Sequence, residues 1–234
     1  MTHPKILLRQ ASATIFAALL PCLGGHAQER CQAFNLETLP KREVRAVWLT
    51  TLSNLDWPKG YATTQEGIER QKRQLTEILD RYAEANINTV LFQARVRATT
   101  TYPSALEPWD RCLTGQEGRA PGYDPLRFAI EECHKRGMEI HAWLATIPCG
   151  PWTSLGCRRL RAKGLRLRKL DGAGYLDPSD ERVAPYLASV CAELTEKYDI
   201  DGIHLDYIRY PVSDKAEDTG YTKYAMMEFA ESVG

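Results

Sequence analysis

An α/β fold of parallel β/α units, of the (β/α)8 barrel type with about four units present, is what this sequence predicts, on three observations. An apolar strand is followed by an amphipathic helix four times over, the pattern that parallel sheets with right-handed crossovers produce. The connections after the second and third strands are long and rich in aromatics, as on the C-terminal face of a barrel. No glycine-rich phosphate turn follows the first strand, which weakens the competing arrangement, an open doubly wound sheet around a nucleotide.

Val44 to Thr51 reads as the first strand, and Ile68, Leu75, Ile78, Leu79 and Tyr82 mark a helix over 63–84 by their spacing. Asn88 to Arg95 is the second strand, and a long connection carrying Tyr102, Trp109 and several prolines runs from it to Tyr123. Asp124 and Pro125 open the next helix as cap and first residue, Leu126, Ile130 and Cys133 face inward, and Gly137 ends it. Met138 to Thr146 is the third strand, followed by an expected loop over 147–180. A helix over about 181–198 places Val183, Leu187, Val190 and Leu194 on one stripe, and Pro185 confines its start to the turn around itself. Gly202 to Ile208 is the fourth strand, stopped by Pro211, and Tyr221 to Val233 begins a fourth helix.

The chain has 234 residues, enough for one domain or part of a larger one, and its 30 basic and 30 acidic side chains cancel. No global charge points to nucleic acid or to an acidic membrane surface. Lys5 and Arg9 precede an apolar run from Ala11 to Leu23, and Gly25 and Ala27 supply small residues before a cut. Residues 1–27 therefore read as a signal peptide cleaved after Ala27, with a lead-in over 28–40, the main domain over 41–234 and an exported, periplasmic or extracellular, product. The run is shorter than the roughly 20 residues that span a bilayer, so no stable membrane insertion is expected. Pro21 before Cys22 argues against a lipidated cysteine. Export permits disulfides, and Cys149 with Cys157 is the pair to test, whereas Cys133 and Cys191 sit on apolar helix faces as core residues. No cysteine or histidine spacing suggests a metal, and no cofactor is expected.

Strand parity locates a site. If Val47, Leu49, Val90, Phe92, Ile140, Ala142, Ile203 and Leu205 face the helices, the other face carries Trp48, Gln93, Arg95, His141, Trp143, His204 and Asp206. Asp206 lies near the C-terminal end of its strand, where the loops of α/β folds build sites, and an acid is costly to bury without a role. It is the first candidate for chemistry. Arg95 and Arg209 are candidates for holding substrate hydroxyls or a carboxylate, with a salt bridge to an acid as the structural alternative. Trp48 and Trp143 are candidate stacking platforms. His141 and His204, nearer the strand starts, are candidate contacts or hydrogen-bonded core residues. The basic run Arg158, Arg159, Arg161, Lys163, Arg166, Arg168 and Lys169 reads as a solvated amphipathic face rather than an anion-binding loop.

The chain resembles the glycosyl hydrolase-like family 10 proteins, exported TIM-barrel glycosidases. The matching stretches come in family order: Glu43-Val-Arg-Ala-Val-Trp-Leu-Thr-Thr, Asn54-Leu-Asp-Trp-Pro, Phe92-Gln-Ala-Arg, Tyr102-Pro-Ser, Glu107-Pro-Trp and Leu113-Thr-Gly. Then follow Pro121-Gly-Tyr-Asp-Pro-Leu, His134-Lys-Arg-Gly, His141-Ala-Trp, Tyr175-Leu-Asp-Pro and Asp201-Gly-Ile-His-Leu-Asp-Tyr-Ile-Arg-Tyr-Pro. The resemblance implies glycoside hydrolysis of a polysaccharide, for some members peptidoglycan glycan strands stripped of peptides, with Asp206 as the catalytic acid of the fourth strand. Two departures stand out. Leu144-Ala145-Thr146 follows His141-Ala-Trp where many members carry an Asn, and the family barrel has four further β/α units, so the chain reads as the N-terminal half.

Glycosidases use two carboxyl groups, one to protonate the leaving oxygen and one to act as nucleophile or to activate water. Asp206 supplies one, and its partner is expected on a later strand, with Glu107, Asp110 and Asp177 as substitutes on mouth loops. A carbohydrate-binding protein without catalysis is the alternative class. A metal-dependent deacetylase is disfavoured by the lack of His and Asp at ligand spacing.

Overall fold

The computed structural model describes residues 43–211 and 223–233. The expected signal peptide and lead-in lie outside the described residues, as do Cys31 and the first residues of the last helix. The chain runs β1 (Ala46–Leu49), α1 (Gln65–Glu84), β2 (Thr89–Arg95), α2 (Arg111–Thr114), α3 (Pro125–Lys135) and β3 (Glu139–Ala145). It continues through β4 (Pro148–Pro151), α4 (Leu155–Ala162), β5 (Leu167–Leu170), β6 (Ala173–Leu176), α5 (Val183–Lys197), β7 (Gly202–Asp206) and α6 (Lys223–Val233). No helix among the described residues is long and apolar enough to cross a membrane.

β1, β2, β3 and β7 form one parallel sheet in that order. Each β/α unit adds its strand beside the previous one, always on the same side. A doubly wound sheet reverses this order at a switch point, so the sequential arrangement belongs to a barrel and makes this sheet part of one. The sheet also curls. Trp48 and His204, on the two outer strands, meet across the concave face with ring centroids 5.7 Å apart and planes at 72°.

The convex face holds the core. Leu49, Val90, Phe92, Ile140 and Ala142 pack against Leu75 and Leu79 of α1, Leu126, Ile130 and Cys133 of α3, and Val190 and Leu194 of α5. The parity of β1, β2 and β3 is thus as the alternation predicted. The helices start and stop where their sequences dictate. Thr64 accepts a hydrogen bond from the Gly67 N–H at the start of α1, Asp124 does so from Arg127 at the start of α3, and Gly137, at φ +67°, turns the chain out of α3. Pro185 sits in the first turn of α5, where no intrahelical N–H bond is lost.

Three expectations need correction. The loop over 147–180 is a folded insertion: β4, β6 and β5 make an antiparallel sheet, and Cys149, Cys157, Leu160, Leu165 and Leu176 form a second core beneath α4. Within the basic run, α4 turns Cys157 and Leu160 inward, while the Arg161 guanidinium lies over the Trp152 ring at 4.1 Å. Second, Cys149 and Cys157 are buried free thiols, with the Cys157 Sγ–H donating to the Cys149 carbonyl at 3.1 Å. Third, β7 stops at Asp206, ahead of the expected Ile208, because Tyr207 adopts φ +50° and leaves the extended region. Leu205, expected under a helix, is 44% exposed. Among the described residues β7 has a strand neighbour on one side only, so Leu205 lacks the flanking cover that Phe92 and Ala142 have.

Candidate active site

The Asp206 carboxylate sits at the C-terminal end of β7, half-buried, with both oxygens engaged by neutral donors. Oδ2 accepts from the Trp143 indole Nε1–H at 2.9 Å, and Oδ1 accepts from the Tyr207 backbone N–H at 2.7 Å. Two bonds from Thr146 to the Asp206 carbonyl, from N–H at 2.9 Å and from the hydroxyl at 2.8 Å, clamp the ends of β3 and β7 together. The local sequence explains the pose. Parity puts Trp143 and Asp206 on the concave face of neighbouring strands, and the positive φ of Tyr207 aims its N–H back at the carboxylate it follows. No cation pairs with this acid among the described residues, so its charge is directed and held by dipoles alone.

Beside it runs a groove of about 280 Å³ walled by Trp143, Tyr175, Tyr207, Arg209, Thr50 and Arg97. Aromatic faces with a few polar groups suit the apolar C–H faces and hydroxyls of sugars. The Arg209 guanidinium stacks 5.3 Å from the centre of the Tyr207 ring, which orients it along the groove.

Of the expected site residues, Asp206 is bonded to Trp143, and Trp143 shares the groove wall with Arg209. Gln93 reaches the same wall in a different capacity. Its Oε1 accepts from the Thr50 hydroxyl at 2.7 Å and from the Thr51 and Leu52 N–H groups at 2.9 and 3.0 Å, so it ties the loop after β1 to β2. Trp48 and His204 lie on the concave face against each other and do not line the groove. His141 is level in register with Trp48 and pairs with Gly202, where an added Cβ would come within 2.8 Å of the imidazole Nδ1. Its Nε2 lies 3.5 Å from the Glu139 carboxylate, and the ring does not line the groove.

Arg95 departs furthest from its expected place. It is fully buried, and its Nε and Nη2 donate to the two Glu107 oxygens at 2.8 and 2.7 Å. Its Nη1 donates to the carbonyls of Ala145 and Thr146. Burial by itself pushes the guanidinium pKa down, but the Glu107 carboxylate outweighs this and raises it above its ordinary value. Tyr186 completes the group by donating to Glu107 at 2.8 Å. The salt-bridge alternative holds here, with Glu107 as the acid. Arg95 is a structural ion pair, fully buried and with four of its five N–H donors engaged, so it is out of reach of a substrate in the groove.

The substitute carboxylates are also occupied. Glu107 belongs to that pair, Asp110 caps α2 and accepts from the Thr99 hydroxyl, and Asp177 accepts from the Ser179 N–H and hydroxyl. Sequence reasoning missed Thr50, Arg97 and Tyr175 in the groove wall. Tyr175 arrives on β6 of the insertion, whose one legible signal was the Asp171-Gly172 pair of a two-residue hairpin turn, both at positive φ.

A parallel sheet laid out as part of a barrel, with an oriented strand-end carboxylate beside an aromatic groove, defines a barrel-type α/β protein with a candidate site at the C-terminal ends of its strands. The glycosyl hydrolase-like 10 family model matches residues 43–232, and the chain belongs to that family. It is similar to the glycosyl hydrolase DigH of Escherichia coli strain K12, 32% identical over 201 residues, covering 77% of this chain and 46% of that one. It is also similar to the glycosyl hydrolase YngK of Bacillus subtilis strain 168, 33% identical over 186 residues, covering 73% of this chain and 34% of that one. The chain therefore spans about half, or less, of the length of these curated relatives. Among solved structures it resembles an alpha-L-fucosidase isoenzyme 2 from Paenibacillus thiaminolyticus, with a TM-score of 0.49, 17% identity, and coverage of 82% of this chain and 26% of that one.

Proposed function

We propose that this protein is a glycoside hydrolase acting on a polysaccharide, and that peptidoglycan glycan strands lacking stem peptides are its substrate. The observation that carries the reading is the Asp206 carboxylate, aimed by the Trp143 indole and the Tyr207 N–H beside an aromatic groove. The two donors fix the direction of the oxygens, leaving lone pairs for a sugar C1 or a glycosidic oxygen. Positive charge develops at C1 in the oxocarbenium-like transition state, and an ionised carboxylate beside it lowers that barrier. The second carboxyl group comes, in this reading, from a later strand of the complete barrel. Trp143 is a positioning residue for the acid as well as a platform for the ring. Residues 1–27 direct the chain out of the cytoplasm, so the mature protein begins at Gln28.

The test is Asp206→Asn in the full-length protein, which keeps size and removes charge. Glycan cleavage falls at least about a hundredfold, the scale of a lost acid/base group, while glycan binding survives. Unchanged turnover by a folded variant overturns the assignment. A second reading, carbohydrate binding without catalysis, is favoured by one observation: Glu107, Asp110 and Asp177 are all bound to protein donors. Release of reducing ends from the glycan separates the two readings.

A further inference from the structure

The chain reverses at the end of β2 in a turn built to present one side chain. Arg95 and Thr100 bridge in antiparallel fashion, the Val96 N–H donates to the Thr99 carbonyl at 2.9 Å, and the Thr101 N–H donates to Ala94 at 2.9 Å. Val96, Ala98 and Thr99 are buried, and Arg97 among them is exposed. Ala98 sits at φ +57°, a conformation uncommon for a residue with a Cβ and one that persists only where the surroundings hold it. They do: α4 backs so closely onto the turn that a Cβ at Gly156 would lie 2.4 Å from the Ala98 carbonyl oxygen.

Arg97 stands at a junction. It lines the groove that Trp143 and Tyr207 wall, and it also lines an adjoining cavity of about 610 Å³ bordered by Arg111, Thr153 and Ser154. That volume is in the range of small-molecule sites, about 300–1,000 Å³. Among the described residues, neither the Arg97 nor the Arg111 guanidinium has an ion pair or hydrogen bond. The acids that share the cavity are engaged elsewhere. Asp110 accepts from the Cys112 N–H and the Thr99 hydroxyl, and Glu117 accepts from the Leu155 and Gly156 N–H groups at the start of α4. A planar donor fork on a tight turn, lining two neighbouring cavities, is suited to bidentate recognition of a carboxylate.

We propose that Arg97 is a specificity-determining residue that binds the carboxylate of an acidic sugar unit seated in the adjoining cavity, along the glycan from the bond at Asp206. Arg111 adds positive field on the far side of that cavity. The inference rests on the glycan reading above and narrows it to chains bearing ionised carboxyl groups. A ring uronate and an ether-linked lactyl group share this chemistry.

The test is calorimetric binding to the full-length protein carrying Asp206→Asn, which holds glycan without turnover. The probes are a peptide-free tetrasaccharide of alternating N-acetylglucosamine and N-acetylmuramic acid, a hyaluronan tetrasaccharide, and each with its carboxyls reduced to alcohols. An acidic form binds about tenfold tighter than its reduced form, as a charge-assisted hydrogen bond gives. Arg97→Gln abolishes that preference, Arg97→Lys keeps part of it, and added salt weakens it. Which tetrasaccharide shows the preference separates lactyl carboxylate from uronate. Equal binding of acidic and reduced forms, or a preference that survives in Arg97→Gln, overturns the inference and leaves the glycan reading standing. Failure of the folded protein to bind any of the four probes overturns both.

Discussion

β2 and β7 end in the same way, with a charged residue on the concave parity of a parallel strand, and their fates are opposite. β2 lies inside the sheet, all seven of its residues are buried, and the segment after it folds back so that Glu107 closes over Arg95. β7 is the outer strand among the described residues, its residues are half-buried or exposed, and there the Asp206 carboxylate meets an indole N–H and a backbone N–H. A charge walled in on all sides must find its counter-charge within the protein or cost several kcal/mol. A charge left in reach of water has no such need. The difference lies in what covers each side chain: Glu107 closes over Arg95, and among the described residues no cation closes over Asp206.

The largest effect expected from this contrast is on assembly. β7 has no ladder partner on its outer side among the described residues, and Leu205, Ile208, Met226 and Phe229 are exposed. Residues 28–234 made alone are expected to self-associate or to bind a dye for apolar surface, as open apolar edges do. Leu205→Lys reduces the association. Size-exclusion with light scattering decides, and a dye-silent monomer with a sharp unfolding transition would show that the edge carries no such liability.

Inside the sheet, Arg95→Met leaves Glu107 buried without its cation and is expected to cost about 3–5 kcal/mol. Denaturant titration measures it, and pairing the change with Glu107→Leu recovers much of the loss. A single-variant cost below about 1 kcal/mol would mean that water reaches the pair. Next comes a matched comparison on the convex face. Phe92→Ala is expected to cost about 3–5 kcal/mol, and Leu205→Ala less than about 1 kcal/mol because that side chain keeps much of its exposure. Equal costs would refute the difference in cover between centre and edge.

The smallest effect concerns pH and the insertion. Burial pushes the Asp180 carboxyl up, but bonds from the Arg182 guanidinium and the Arg166 and Arg182 N–H groups outweigh it and hold the pKa at about 2. A folded-state pKa below the ordinary carboxylate value of about 4 gives stability that is present above pH 4 and lost as the pH falls through about 2. Between pH 5 and pH 2, Tm should therefore fall less steeply in Asp180→Asn than in the parent. Parallel curves would remove Asp180 from the acid response.

Periodicity and local chemistry carried much of the fold in the sequence. Helical spacing in α1, the Asp124-Pro125 start and Gly137 stop of α3, and apolar alternation in β2 and β3 are set by bonds and side chains within a few residues, so the one-dimensional pattern records them. The same alternation put Trp143 and Asp206 on one face, which made the centre of the site legible. The insertion was not, because its strands are four residues each, β4 has proline at both ends, and β4 pairs with β6 across the whole of α4 and β5. Nor did parity separate Arg95 from Asp206. Both have the right face and the right end of a strand, and only the tertiary structure decides which one a neighbouring acid covers. Arg97 entered the groove for the same kind of reason: a turn pinned by α4 from 60 residues downstream sets where it points, and no local pattern encodes that contact.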